Sequence, residues 1–142
     1  MSSHYLYELW LATAKRFATE TAIFACAGGR GWTFHELFTE AERETVSAKV
    51  IFPKGNGPEF ILSLLRAWRS GSVACPLDAG QSAAALANLP DTCAHVKITS
   101  ATSGGSKSIL FTAEQLAAEP LAGGLFAVAI GSPGVPAGLF GG

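Results

Sequence analysis

The sequence is poor in charge. Lys, Arg, Asp and Glu make up 15% of its 142 residues, against about a quarter in an average soluble domain. Disorder needs high charge and few core formers, so that class is excluded. Neither sign dominates: ten basic residues face eleven acidic ones, for a formal net charge of −1. A nucleic-acid partner normally leaves a basic excess, and none is visible. Cysteines are few, and Cys26, Cys75 and Cys93 stand at unrelated spacings, so no disulfide framework is expected. No apolar stretch of about 18 residues is free of Gly or Pro, which argues against a transmembrane helix and a membrane partner. The opening Ser2-Ser3-His4-Tyr5 has neither the basic segment nor the apolar run of a secretory leader. Together these absences predict a cytoplasmic protein with reduced thiols.

What the chain does have is apolar residues, 49% of the total, enough for one buried core. Leu6, Leu9, Trp10, Ala14 and Phe17 recur at helical spacing and predict an amphipathic helix over 4–18, capped by Ser2 or Ser3. Residues 21–26 read as a strand, 28–31 as a turn and 32–33 as the returning edge. Thr33-Phe34-His35-Glu36 is a capping box opening a helix over 34–47. Residues 49–52 read as a buried strand, and Pro58 as the first position of a helix that runs to 70 and stops at Gly71. Residues 73–77 make the next strand, so a parallel strand–helix–strand unit is expected. A short Ala-rich helix over 81–89 follows. Residues 95–99 and 108–111 are strands around a polar loop, and Thr112-Ala113-Glu114-Gln115 is a second capping box, for a helix to about Glu119. From Pro120 to Gly142 there is no charged residue, and seven glycines and three prolines interrupt the chain. No periodicity assigns a structure to this tail.

The loop Thr99-Ser100-Ala101-Thr102-Ser103-Gly104-Gly105-Ser106-Lys107 has the chemistry of a polyphosphate site. Glycines let backbone N–H groups approach anionic oxygens, hydroxyls donate further bonds and a lysine supplies charge. A solvated Ser/Gly hairpin is the plainer alternative. A P-loop of the Gly-x-x-x-x-Gly-Lys-Ser type is excluded, because positions 101 and 106 are Ala101 and Ser106. Other tempting residues read as structural. Cys93 and His95 lack the further ligands a zinc site needs. His35 has no nucleophile beside it. Trp10 and Trp68 fall on core-facing helix positions, and Asp78 and Glu59 lie on different elements.

Thr99–Lys107 resembles the Thr-Ser-Gly-Thr-Thr-Gly-x-Pro-Lys signature of the adenylate-forming superfamily, which includes acyl-CoA synthetases, peptide-synthetase adenylation domains and luciferases. Three upstream pieces follow the same order. Trp32–Leu37 resembles the family's aromatic-Thr-x-x-Glu-Leu helix start. Gly55–Phe60 is similar to its Asn-Gly-x-Glu-Phe helix entry, and Ala67–Asp78 to its Gly-Ala-x-x-x-Pro-Leu-Asp segment. Ala101, Ser106 and Ser108 depart from the signature, and the interval from Asp78 to Thr99 is shorter than usual.

The resemblance implies an α/β fold, a partial N-terminal subdomain with a mixed or parallel sheet and flanking helices. Residues 1–119 would be the N-terminal part of an AMP-binding domain, and 120–142 a divergent or out-of-frame tail. It implies ATP and Mg²⁺ as cofactors and a carboxylic acid as partner. The acid is activated to an acyl-adenylate and then usually to a thioester. Thr99, Ser100, Thr102, Ser103, Gly104 and Lys107 would contact phosphate, with Ala101 offering its backbone N–H. The family's Mg²⁺-binding Glu, ribose-binding Asp and late catalytic Lys have no counterpart: the last lysine is Lys107 and no acid follows Glu119. A truncated AMP-forming ligase fragment, inactive alone and with no catalytic residue of its own, is therefore expected. The alternatives are a non-catalytic α/β interaction module and a truncated product without selected function.

Overall fold

A computed structural model describes residues 2–26, 28–78, 81, 86, 88–100 and 106–118. The elements, in order, are α1 (His4–Arg16), β1 (Thr21–Ala25), β2 (Arg30–Thr33), α2 (Phe34–Arg43), β3 (Val50–Ile51), α3 (Pro58–Arg69), β4 (Val73–Ala74), β5 (Cys93–Ser100), β6 (Ser106–Thr112) and α4 (Ala113–Ala118). β1 and β2 form a two-stranded antiparallel sheet. The second sheet has the order β3-β4-β5-β6. Its first three strands run parallel, and β5 and β6 pair as an antiparallel hairpin. The sheet is thus mixed, within the α/β expectation.

α3 carries the core. Ile61, Leu62, Leu64, Leu65, Ala67 and Trp68 are all buried on it. They join Leu6 and Tyr7 of α1, Leu37 and Ala41 of α2, and Ala74, Ala94 and Ala113 in one apolar cluster. A second cluster gathers Val73, Cys75, Cys93 and Val96, with Val50, Phe52, Leu86, Leu89 and Ile98 packed against it. Burial raises the pKa of both Cys75 and Cys93, so these thiols are unreactive core groups. Trp10 packs at the edge of the first cluster. The face of Trp32 is covered by the Arg30 guanidinium, 3.9 Å from the ring centroid.

Local signals match their expected elements. Thr33 Oγ1 accepts from the Glu36 N–H at 3.1 Å, and Glu36 Oε2 accepts from the Thr33 N–H at 2.7 Å. Thr112 and Gln115 repeat the arrangement at α4. Gly71 follows α3 with φ +71°, the left-handed conformation that ends a helix and suits glycine.

Long-range contacts alter other details. Ser3 makes no side-chain cap; its buried hydroxyl donates to the Ser72 carbonyl at 2.8 Å, tying the start of α1 to the end of α3. α2 ends at Arg43, and Glu44 is extended, so the helix stops short of the expected residue 47. The cause lies on α3. Arg66 donates to the Glu40 carbonyl (3.1 Å) and Arg69 to the Glu44 carbonyl (3.4 Å), while Ser70 Oγ accepts from the Val46 N–H (3.2 Å). These partners satisfy backbone groups that further helix would otherwise have to pair. Glu42 joins α2 to α1 and α3, accepting from the Tyr7 hydroxyl of α1 and from Arg69 Nε of α3 at 3.0 Å. Burial, and next Glu42, push the Tyr7 phenol well above its ordinary pKa.

The expected strand 49–52 is regular only at Val50–Ile51 and is half-buried rather than buried. Likewise 73–77 is regular only at Val73–Ala74. Pairing nevertheless continues: the N–H groups of Val73, Cys75 and Leu77 donate to the carbonyls of Lys49, Ile51 and Pro53. Pro53 and Pro76 have no N–H to give, which limits the regular ladder. The expected helix over 81–89 is not present at Gln81, Leu86 or Asn88. Gln81 instead folds back, its side chain accepting from the Asp78 N–H at 2.8 Å, and Asn88 is left-handed at φ +58°. Positions 82–85 and 87 lie outside the described residues, as does the tail after Ala118.

Candidate phosphate-binding hairpin

β5 and β6 bring the two ends of the polar loop together. Their register sets Thr99 opposite Lys107 and Ser100 opposite Ser106. The Thr99 hydroxyl donates across the ladder to the Lys107 carbonyl at 3.4 Å. Of the expected phosphate contacts, Thr99, Ser100 and Lys107 therefore lie on the paired strands. Ala101, Thr102, Ser103 and Gly104 fall outside the described residues, as does Gly105.

The register also adds a residue that the sequence reading left aside. Side chains two apart on a strand share a face, and residues opposite each other on paired strands share it too. Lys97 stands opposite Ile109, so Lys97, Thr99, Lys107 and Ile109 occupy one face of the hairpin. Lys97 and Lys107 are diagonal neighbours on it, at the roughly 7–8 Å typical of such positions, and both are exposed. A loop centred on Lys107 conceals this second cation, because Lys97 lies ten positions earlier in the chain. Strand periodicity together with hairpin pairing was the signal that could have found it.

His95 lies two residues before Lys97, opposite Phe111, with the rings edge to face at 6.1 Å. Burial, and next the Lys97 charge, depress its pKa from 6.5 to about 4. The imidazole is therefore neutral at pH 7 and adds no charge to the face.

Chemically, the face offers two ammonium groups and a hydroxyl beside the loop that joins the strands. That donor set suits a phosphate chain. Neither β5 nor β6 contains an acidic residue, so the hairpin supplies no carboxylate for Mg²⁺, which protein sites usually hold through one or two. Among the described residues no three His, Cys, Asp or Glu side chains gather as a metal site. Cys93 Sγ instead points to the His95 carbonyl oxygen at 3.6 Å. A separate cleft of about 190 Å³ is lined by Leu11, Ala14, Lys15, Ala18, His35 and Phe38, none of them on the hairpin. Among the described residues no helix is long and apolar enough to cross a membrane.

No protein-family model and no curated protein sequence matches the chain. Solved structures do. The N-terminal subdomain of NpsA from Klebsiella oxytoca superposes with a TM-score of 0.60 at 16% identity, covering 78% of this chain and 42% of that one. The same subdomain in complex with 3-hydroxyanthranilyl-AMSN gives 0.59 at 16% identity, over 78% and 41%. VinN gives 0.59 at 14% identity, over 78% and 46%. The chain thus spans less than half the length of these structures. Its fold is that of part of the NpsA N-terminal subdomain and of VinN.

Proposed function

We propose that the chain is the N-terminal part of an adenylate-forming ligase, with the β5–β6 hairpin as its nucleotide phosphate site. The observation that carries this reading is the hairpin register. It sets Thr99 against Lys107 and Lys97 beside them, at the ends of a loop rich in glycine and hydroxyl residues, in a fold shared with the NpsA subdomain. NpsA has been solved with anthranilyl-AMSN and 3-hydroxybenzoyl-AMSN, and VinN with L-aspartate and 3-methylaspartate. Acyl-adenylate chemistry on a carboxylic acid, with ATP as co-substrate, is the corresponding activity of the whole enzyme, usually followed by thioester formation.

In this reading the hairpin's residues bind and orient. Lys97 and Lys107 neutralise phosphate oxygens, and Thr99, Ser100, Thr102, Ser103 and the N–H groups of Ala101 and Gly104 complete the cradle. Mg²⁺ arrives with the nucleotide. Residues 1–119 form this part and 120–142 a tail outside it. The three free cysteines support a cytoplasmic location. Adenylation needs donors placed where charge develops in the transition state, and the chain lacks the family's acidic and late lysine residues. It therefore binds the phosphate chain weakly and does not turn over.

The test is titration of ¹⁵N-labelled protein with ATP and Mg²⁺, alongside pyrophosphate exchange with a panel of carboxylic acids. Shifts centred on 97–108 and no exchange above background are expected. Shifts confined to other residues leave the loop a solvated hairpin, and robust exchange overturns the claim of inactivity.

A further inference from the structure

β6 is an edge strand of the four-stranded sheet among the described residues. Consecutive residues on a strand face opposite sides of the sheet, yet Ile109 and Leu110 are 45% and 40% exposed. Among the described residues the middle of β6 is therefore partly open on both faces. Such an edge is a template for pairing, which soluble proteins usually blunt with charge, proline or a bulge. β6 has no proline and only one charged residue, Lys107. Its one register shift lies on the β5 side, between Cys93 and His95.

The strand can pair with itself over its full length without setting like charges opposite each other. Ile109 is the midpoint of Ser106–Thr112, so two copies pairing antiparallel about Ile109 match all seven residues. In that register Ile109 faces Ile109, Ser108 faces Leu110, and Lys107 faces Phe111. The two lysines never stand opposite each other. A shift toward the N-terminal end brings the lysines together, and any shift shortens the overlap.

We propose that β6 is a self-association edge, by which two copies of this chain join their sheets antiparallel about Ile109. One short strand buries less than the roughly 1,200 Å² of a stable complex, so the dimer is weak and concentration-dependent. The proposal does not rest on the phosphate site.

The test uses the full chain without nucleotide, by sedimentation velocity across a wide concentration range. The parent protein is expected to dimerise as concentration rises, with β6 amides gaining protection from hydrogen exchange. Ile109→Lys and Ile109→Glu each place like charges directly across the axis, and each is expected to weaken association about tenfold or more. Mixing the two variants is expected to restore a heterodimer, as a register pairing position 109 with itself predicts. Phe24→Lys removes an exposed aromatic on the other sheet and is expected to change nothing. Circular dichroism verifies folding. Should either charged variant fail that check, Ile109→Thr, which keeps a strand-forming residue, is expected to weaken association. A parent that stays monomeric, an association unaffected by change at Ile109, or a charged mixture that stays monomeric overturns the proposal. So does β6 exchange protection that is independent of concentration, which would mean that the edge is covered within one chain.

Discussion

Thr99 lies directly across the β5–β6 ladder from Lys107. This pairing places Lys97 two residues before Thr99 on the same face, and gives the hairpin two cations where the loop sequence displays one.

The two lysines are expected to act together on phosphate. A charge-assisted hydrogen bond contributes about 1.5–3 kcal/mol, so Lys107→Ala is expected to weaken ATP binding about tenfold to a hundredfold. Lys97→Ala is expected to weaken it by a smaller factor, being farther from the loop. Lys54→Ala serves as control, since Lys54 lies off the hairpin, in a backbone bridge with Leu77. Chemical-shift titration suits the weak affinity. Equal responses from all three variants remove the hairpin from the phosphate site.

His95 should make stability depend on pH. Its folded pKa of about 4 lies below the ordinary 6.5, so between these values the unfolded chain binds more protons than the folded one. Stability is then complete above about 6.5 and falls as pH drops toward 4. The shift corresponds to at most roughly 3–4 kcal/mol. Urea denaturation between pH 4 and 7 checks this, with His95→Phe expected to flatten the curve. NMR titration adds a local readout: Lys97→Ala removes the smaller of the two causes and is expected to raise the His95 pKa modestly.

The Thr33–Glu36 box is expected to stabilise α2 in the usual range for such caps. Thr33→Ala leaves the Glu36 N–H without its side-chain acceptor and is expected to cost about 1 kcal/mol. Thr33→Ser, which keeps the hydroxyl, is expected to recover most of it. Equal losses in the two variants would show that the methyl packing, not the hydrogen bond, matters.

Leu65 is fully buried in the α3 core. Leu65→Ala is expected to cost about 2–5 kcal/mol, whereas Leu9→Ala, at a position 43% exposed on α1, should fall within about 0.5 kcal/mol of the parent. Denaturant midpoints compare them directly. Similar losses at both sites would contradict the placement of the core on α3.

The sequence by itself determined the features whose partners lie within a few residues. Both capping boxes, Pro58 at the start of α3 and the Gly71 stop were legible because each is closed by backbone groups three or four positions away. The hairpin was legible too, since two strand-forming runs flank a Gly/Ser loop, and the order of short motifs pointed to the fold that the NpsA subdomain shares. Only the tertiary structure decided the rest. The end of α2 is set by Arg66, Arg69 and Ser70, more than twenty residues away in the chain. The Ser3 hydroxyl turns to the Ser72 carbonyl because packing α1 against α3 puts that acceptor within reach. Lys97 joins Lys107 because strand register, which no single strand carries alone, sets which side chains share a face.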